Sequence, residues 1–73
     1  MKIFVSKTIS FIKVLTILKV YNYQILETRE YETYNMLEIK NTIPFLEMNE
    51  MFRDCPYVFT FYKDTVVIHR ISD

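Results

Sequence analysis

The chain has 73 residues, 51% of them hydrophobic and 16% aromatic, and its nine Lys and Arg balance its nine Asp and Glu to a formal net charge of zero. That length allows one domain at most, and that apolar content excludes a disordered chain, which buries too little to offset the entropy of ordering. A neutral chain lacks the broad field that draws most nucleic-acid binders to phosphate, and near-zero charge favours association with itself or with a partner.

Gly is absent, as is Ala, while Ile, Lys, Tyr, Phe, Asn and Met are abundant. These are residues of AT-rich codons, so a compact AT-rich genome, such as that of a bacteriophage or a virus, is the expected source. The single Cys cannot close an internal disulfide, and a reducing cytoplasm is the expected compartment.

Residues Lys2 to Ser6 carry Ile3, Phe4 and Val5 without alternation, as a central strand covered on both faces does. Ser6 or Thr8 is placed to cap a helix running to about Tyr21. In that helix Lys7, Ser10, Lys13, Thr16 and Lys19 recur at every third residue, so the polar positions spiral round the axis and no broad polar face forms. The helix is apolar on most of its surface and needs cover beyond one sheet face. It is no membrane span: Lys7, Lys13 and Lys19 interrupt "IFVSKTISFIKVLTILKVY", which leaves no charge-free stretch of about 20 residues. No small-residue cleavage site follows, so neither a signal nor an anchor is expected.

Asn22 is the best left-handed helix stop in a chain without Gly. "YQILET" then reads as a second strand. "REYETYNMLEIK", residues 29 to 40, alternates at Tyr31, Thr33, Leu37 and Ile39 yet also suits a loose helical turn, and reads as a loop or short strand. "NTIPFLEMNEMFRD" is a second helix. Asn41 or Thr42 caps it, Pro44 fits its first turn, Phe45, Met48 and Phe52 share one face, and Glu47, Glu50 and Asp54 share the opposite one. In residues 57 to 62, Tyr57, Phe59 and Phe61 alternate with Val58, Thr60 and Tyr62, as in a strand with two usable faces. "KD" at 63 and 64 makes a tight turn and "TVVIHRI" returns as a further strand.

The order strand, helix, strand, helix, strand, strand resembles the thioredoxin and glutaredoxin fold over nearly the whole chain. "CPYVFTFYKDTVV" is similar to the family's apolar residue, Pro, β-rich run, Lys/Asp turn and closing strand, and "MKIFVSK" with "LKVYNYQILE" resembles a glutaredoxin's first strand, helix and second strand. The resemblance implies an α+β domain spanning residues 1–73, with a four-stranded mixed sheet, two helices and a cis-proline at Pro56. Two departures matter. The positions that match the family's Cys-x-x-Cys, where a helix N-terminus activates a thiol, are about Thr8, Ile9, Ser10 and Phe11, with no sulfur. The chain also stops at Asp73, so the family's final helix is missing and a sheet face is expected to lie uncovered. Uncovered apolar patches mark interfaces.

Cys55 and Pro56 have two readings. With a cis bond, as the resemblance implies, the Cys55 backbone N–H and C=O would be held outward to pair with an extended partner. Alternatively, Pro56 merely ends the helix and Cys55 is a small buried filler. A nucleophilic Cys55 needs a neighbouring base or second thiol, and the sequence places none. His69, the one histidine, is expected as a surface residue on a strand, because a lone Cys with a lone His makes no zinc site. Tyr31 and Tyr34 in "ETREYETY" read equally as an interaction edge and as a solvated loop covering the rim of the core. With no Lys/Arg cluster and no Gly-rich loop, neither nucleic acid nor nucleotide is an expected ligand, and neither cofactor nor metal is expected. The aromatics of residues 57 to 62 imitate a base-stacking strand, but at strand spacing they belong to a core.

The leading expectation is therefore a redox-inactive, thioredoxin-like interaction module that binds a host protein through Phe11, Cys55, Pro56 and Tyr57, with Tyr31 and Tyr34 as a further contact. Two alternatives stand beside it. One is a single-cysteine thiol oxidoreductase using Cys55. The other is a small subunit that dimerises through the uncovered sheet face or through an edge strand at residues 65 to 71.

Overall fold

Seven elements follow one another as β1 (Lys2–Ser6), α1 (Phe11–Val20), β2 (Ile25–Glu30), β3 (Tyr34–Ile39), α2 (Phe45–Met51), β4 (Tyr57–Tyr62) and β5 (Thr65–Arg70), in a computed structural model that describes all 73 residues. The strands form one mixed sheet in the order β2-β3-β1-β5-β4, with β1 antiparallel to β3 and parallel to β5. The β1–α1–β2 crossover leaves room for β3 between its strands, a split β-α-β unit, and the β3–α2–β4 crossover passes over β1 and β5 in the same manner.

Pairing register determines which side chains share a face. Ile3 lies beside Leu37 and Val66, and Ile68 beside Phe59, so these residues point to one side of the sheet. They join Val14 and Leu18 of α1 and Met48, Met51 and Phe52 around α2 in a single buried core. Both helices therefore cover the same face. The opposite face carries Phe4, Met36, Val67 and Thr60, aligned across the sheet, and no helix lies over it.

Local chemistry explains the joints. Ser10 caps α1, its side chain accepting from the Lys13 N–H at 3.3 Å. Asn22 takes the left-handed conformation at φ 64° just beyond the helix C-cap, Tyr21. Lys63, at φ 51°, supplies the same freedom in the two-residue turn that joins Tyr62 to Thr65.

The expected α+β class, the two helices and the mixed sheet are present, but the sheet has five strands where four were expected. The added strand is β3, within the segment read as loop or short strand. It lies between β2 and β1, so Met36, Leu37 and Ile39 are buried. Nothing in this strand order ties the fold to thioredoxin.

Boundaries differ for physical reasons as well. Neither Ser6 nor Thr8 caps α1: the Ser6 carbonyl accepts the Ile9 N–H at 3.0 Å in a turn, and the Thr8 hydroxyl bonds to Asp73 at 2.8 Å. Pro44 is the N-cap of α2 with extended backbone, rather than a first-turn residue, and the Thr42 hydroxyl turns away to Asp64 at 3.1 Å. Of the residues assigned to the inner face of α2, Met48 and Phe52 are buried, whereas Phe45 is 53% exposed. The strand at residues 65 to 71 is not an edge: β5 is hydrogen-bonded on both sides, and the edges are β2 and β4.

Candidate interaction surfaces

The proline corner lies where α2 hands over to β4. The Cys55 N–H donates to the Phe52 carbonyl at 3.0 Å, and the Cys55 carbonyl accepts the Tyr57 N–H at 2.9 Å. Both backbone groups of Cys55 are thus used inside the fold and are not held outward. The bond before Pro56 is trans, since the chain contains no cis peptide.

Beside this corner is an open cleft of about 230 Å³ in which Pro56 and Tyr57 meet Thr8 and Ile9 of the β1–α1 turn, the cap Ser10 and Lys13 of α1, with Arg70 from β5. Hairpin register sets Arg70 opposite Tyr57, and neither Lys13 nor Arg70 forms an ion pair. The Asp73 carboxylate accepts the Arg70 N–H at 2.9 Å and the Thr8 hydroxyl at 2.8 Å. Those hydrogen bonds hold its pKa below the usual carboxylate value. The Tyr57 hydroxyl is pushed above its ordinary 10, first by burial and then by the neighbouring Cys55 thiol, with Arg70 acting against them. The result is a charged rim, with Lys13 and Arg70 as its cations and the Asp73 carboxylate beside them, on a partly apolar floor. Nucleophilic chemistry at Cys55 would need a base. His69 cannot be that base, because it points to the open face of the sheet while Cys55 packs against the core on the other.

The second surface is the uncovered sheet face. Tyr31, in the β2–β3 turn, stacks on Phe4 of β1 with ring centroids 6.3 Å apart; Phe4 meets Tyr34 of β3 edge-on at 6.4 Å, and Tyr34 meets His69 of β5 edge-on at 6.0 Å. Four rings thus form a continuous row across neighbouring strands. Beyond the row, on β4, Val58 is 45% and Tyr62 61% exposed on the same face. The Glu27–Arg29 pair and the ion pair between Lys7 and Glu30 border the opposite end.

The six residues expected to bind a partner fall into separate places. Pro56 and Tyr57 line the cleft, and half-buried Cys55 sits just behind them. Half-buried Phe11 packs on the core at the first turn of α1 without lining the cleft. Tyr31 and Tyr34 lie on the open face, away from all of these. Sequence reasoning missed Phe4, Lys13 and Arg70. The position of Arg70 was readable, because a two-residue turn at 63 and 64 pairs Tyr57 with Arg70; that of Phe4 depends on where β3 inserts. The chain matches no family model, no curated protein and no solved structure.

Proposed function

We propose that this chain is a non-catalytic protein-interaction module, of phage or viral origin on its abundance of residues with AT-rich codons, that binds a host protein and inhibits or redirects it. The observation that carries the reading is the row of Tyr31, Phe4, Tyr34 and His69 on a sheet face with no helix over it. Aromatic residues supply large contact area at low entropic cost and are enriched in the cores of interfaces. A neutral chain with this surface gains little from a charged ligand and most from an apolar one.

The test is affinity capture with tagged protein from a host lysate, run with wild type, with Tyr31→Ala/Tyr34→Ala and with Pro56→Ala/Tyr57→Ala, each checked for folding by circular dichroism. The expected result is one protein retained in stoichiometric amount by the wild type and by the proline-corner variant, and lost by the Tyr31/Tyr34 variant. Retention by none of them, or loss confined to the proline-corner variant, refutes the assignment to the open face.

A further inference from the structure

The two edges of the sheet are built differently. β2 carries Glu27, Arg29 and Glu30 and a register shift between Ile25 and Glu27, the charges and bulge that keep an exposed edge from pairing with another chain. β4, "YVFTFY", has no charge, no Pro and no bulge over its six residues. Hydrogen bonds alternate along an antiparallel pair, and the Ile71 N–H bonded to the Pro56 carbonyl at 2.9 Å fixes the phase. Residues 58, 60 and 62 of β4 therefore face β5, and the N–H and C=O of Phe59 and Phe61 point to the free edge with no partner in the fold.

We infer that β4 pairs antiparallel with β4 of a second copy about a two-fold axis at Phe59, joining two five-stranded sheets into one. The strand is complementary to itself in this register. Tyr57 lies opposite the partner's Phe61, and Val58 opposite the partner's Thr60, so aromatic meets aromatic and β-branched meets β-branched. Net charge does not oppose the pairing, because copies of zero net charge do not repel. The apolar surface continues past the strand, because Phe45, 53% exposed, contacts Phe61 edge-on at 5.6 Å and Leu46 beside it is 80% exposed. A strand pair of this length with such flanks buries on the order of 1,000 Å² in total, the low end of specific interfaces, so the dimer forms reversibly with concentration. This inference is independent of the open-face reading, because it uses the backbone edge and not the aromatic row.

The experiment is sedimentation equilibrium over micromolar to millimolar protein with two double variants. Val58→Lys/Thr60→Lys sets like charges opposite each other twice across the seam, and Val58→Lys/Thr60→Glu sets opposite charges there. The wild type should dimerise, the first variant should weaken the dimer by roughly tenfold or more, and the second should retain it. In parallel, amide exchange at Phe59 and Phe61 should slow as the dimer forms. A wild type that stays monomeric throughout overturns the inference. So does a dimer that both variants leave intact, or protection of these amides that arises only when a different protein is added.

Discussion

Phe52 is where the fold attaches α2 to the strand that carries both the proline corner and the free edge, and Phe52→Leu measures that attachment. The side chain is 2% exposed, with ring centroids 5.9 Å from Tyr57 and 5.7 Å from Phe59. Leucine keeps most of the apolar burial but forfeits two aromatic pairs, at about 0.5–1.5 kcal/mol each. The vacated volume adds a cavity cost of about 24 cal/mol per Å³, roughly 0.5 kcal/mol for the atoms lost. The expected loss is therefore about 1.5–3.5 kcal/mol, from a total that for a chain of this size is about 4–11 kcal/mol. Thermal unfolding followed by circular dichroism should show Tm lower by about 6–28 °C, with an unchanged urea m-value. Phe45→Leu is the internal comparison: Phe45 is 53% exposed and makes one edge contact with Phe61, so it should cost about 1 kcal/mol or less. A Phe52→Leu variant within about 0.5 kcal/mol of wild type, or no worse than Phe45→Leu, would refute this account of the core.

Further substitutions test the joints and the cleft. Asn22→Val forces a β-branched residue to φ 64° and should cost about 1–2 kcal/mol in urea denaturation, while Asn22→Gly should be tolerated. Ser10→Ala removes the cap on the Lys13 N–H and should cost about 0.5–2 kcal/mol by the same measurement. The pH dependence has two arms. The depressed Asp73 pKa contributes stability that is present above the ordinary carboxylate value and lost as pH falls through the folded value, and Asp73→Asn should flatten the acid limb of a stability–pH profile. The raised Tyr57 pKa contributes stability that is present below the unfolded value near pH 10 and lost as pH rises through the folded one, so Tyr57→Phe should flatten the alkaline limb.

The local sequence carried much of this architecture. The alternation in residues 57 to 62 separates Tyr57, Phe59 and Phe61 from Val58, Thr60 and Tyr62, as the pairing register does, because period-two patterning depends only on the pleat; that the first set faces the core follows from the helices packed on that side. Asn22 reads as a helix stop since nothing else nearby tolerates a left-handed backbone, and it holds φ 64°. What stayed illegible was non-local. Leu37 and Ile39 look like half of a short strand until β3 is known to sit between β2 and β1, where neighbours on both sides bury them. Ser6, Thr8 and Ser10 are equally good caps by residue type; the choice falls to Ser10 because β1 claims Ser6 and the chain end claims Thr8. The same non-locality split the expected binding residues, placing Tyr31 and Tyr34 across the sheet from Tyr57. The expected strand at residues 65 to 71 became an interior one because it pairs in parallel with β1, a contact that no local pattern announces.

The proposed binding surface is the open aromatic face, and the direct measurement is hydroxyl-radical footprinting of the protein free and bound to the protein that the capture is expected to retain. In the free protein Tyr31 and Tyr34 should oxidise readily while Val14 and Phe52, both buried, should not. On binding, oxidation of Phe4, Tyr31, Tyr34 and His69 should fall together, with Ile12 and Val20 on the outer side of α1 unchanged. Protection confined to Ile12 and Val20, with the four rings still reactive, would contradict the claim that the uncovered sheet face is the binding surface.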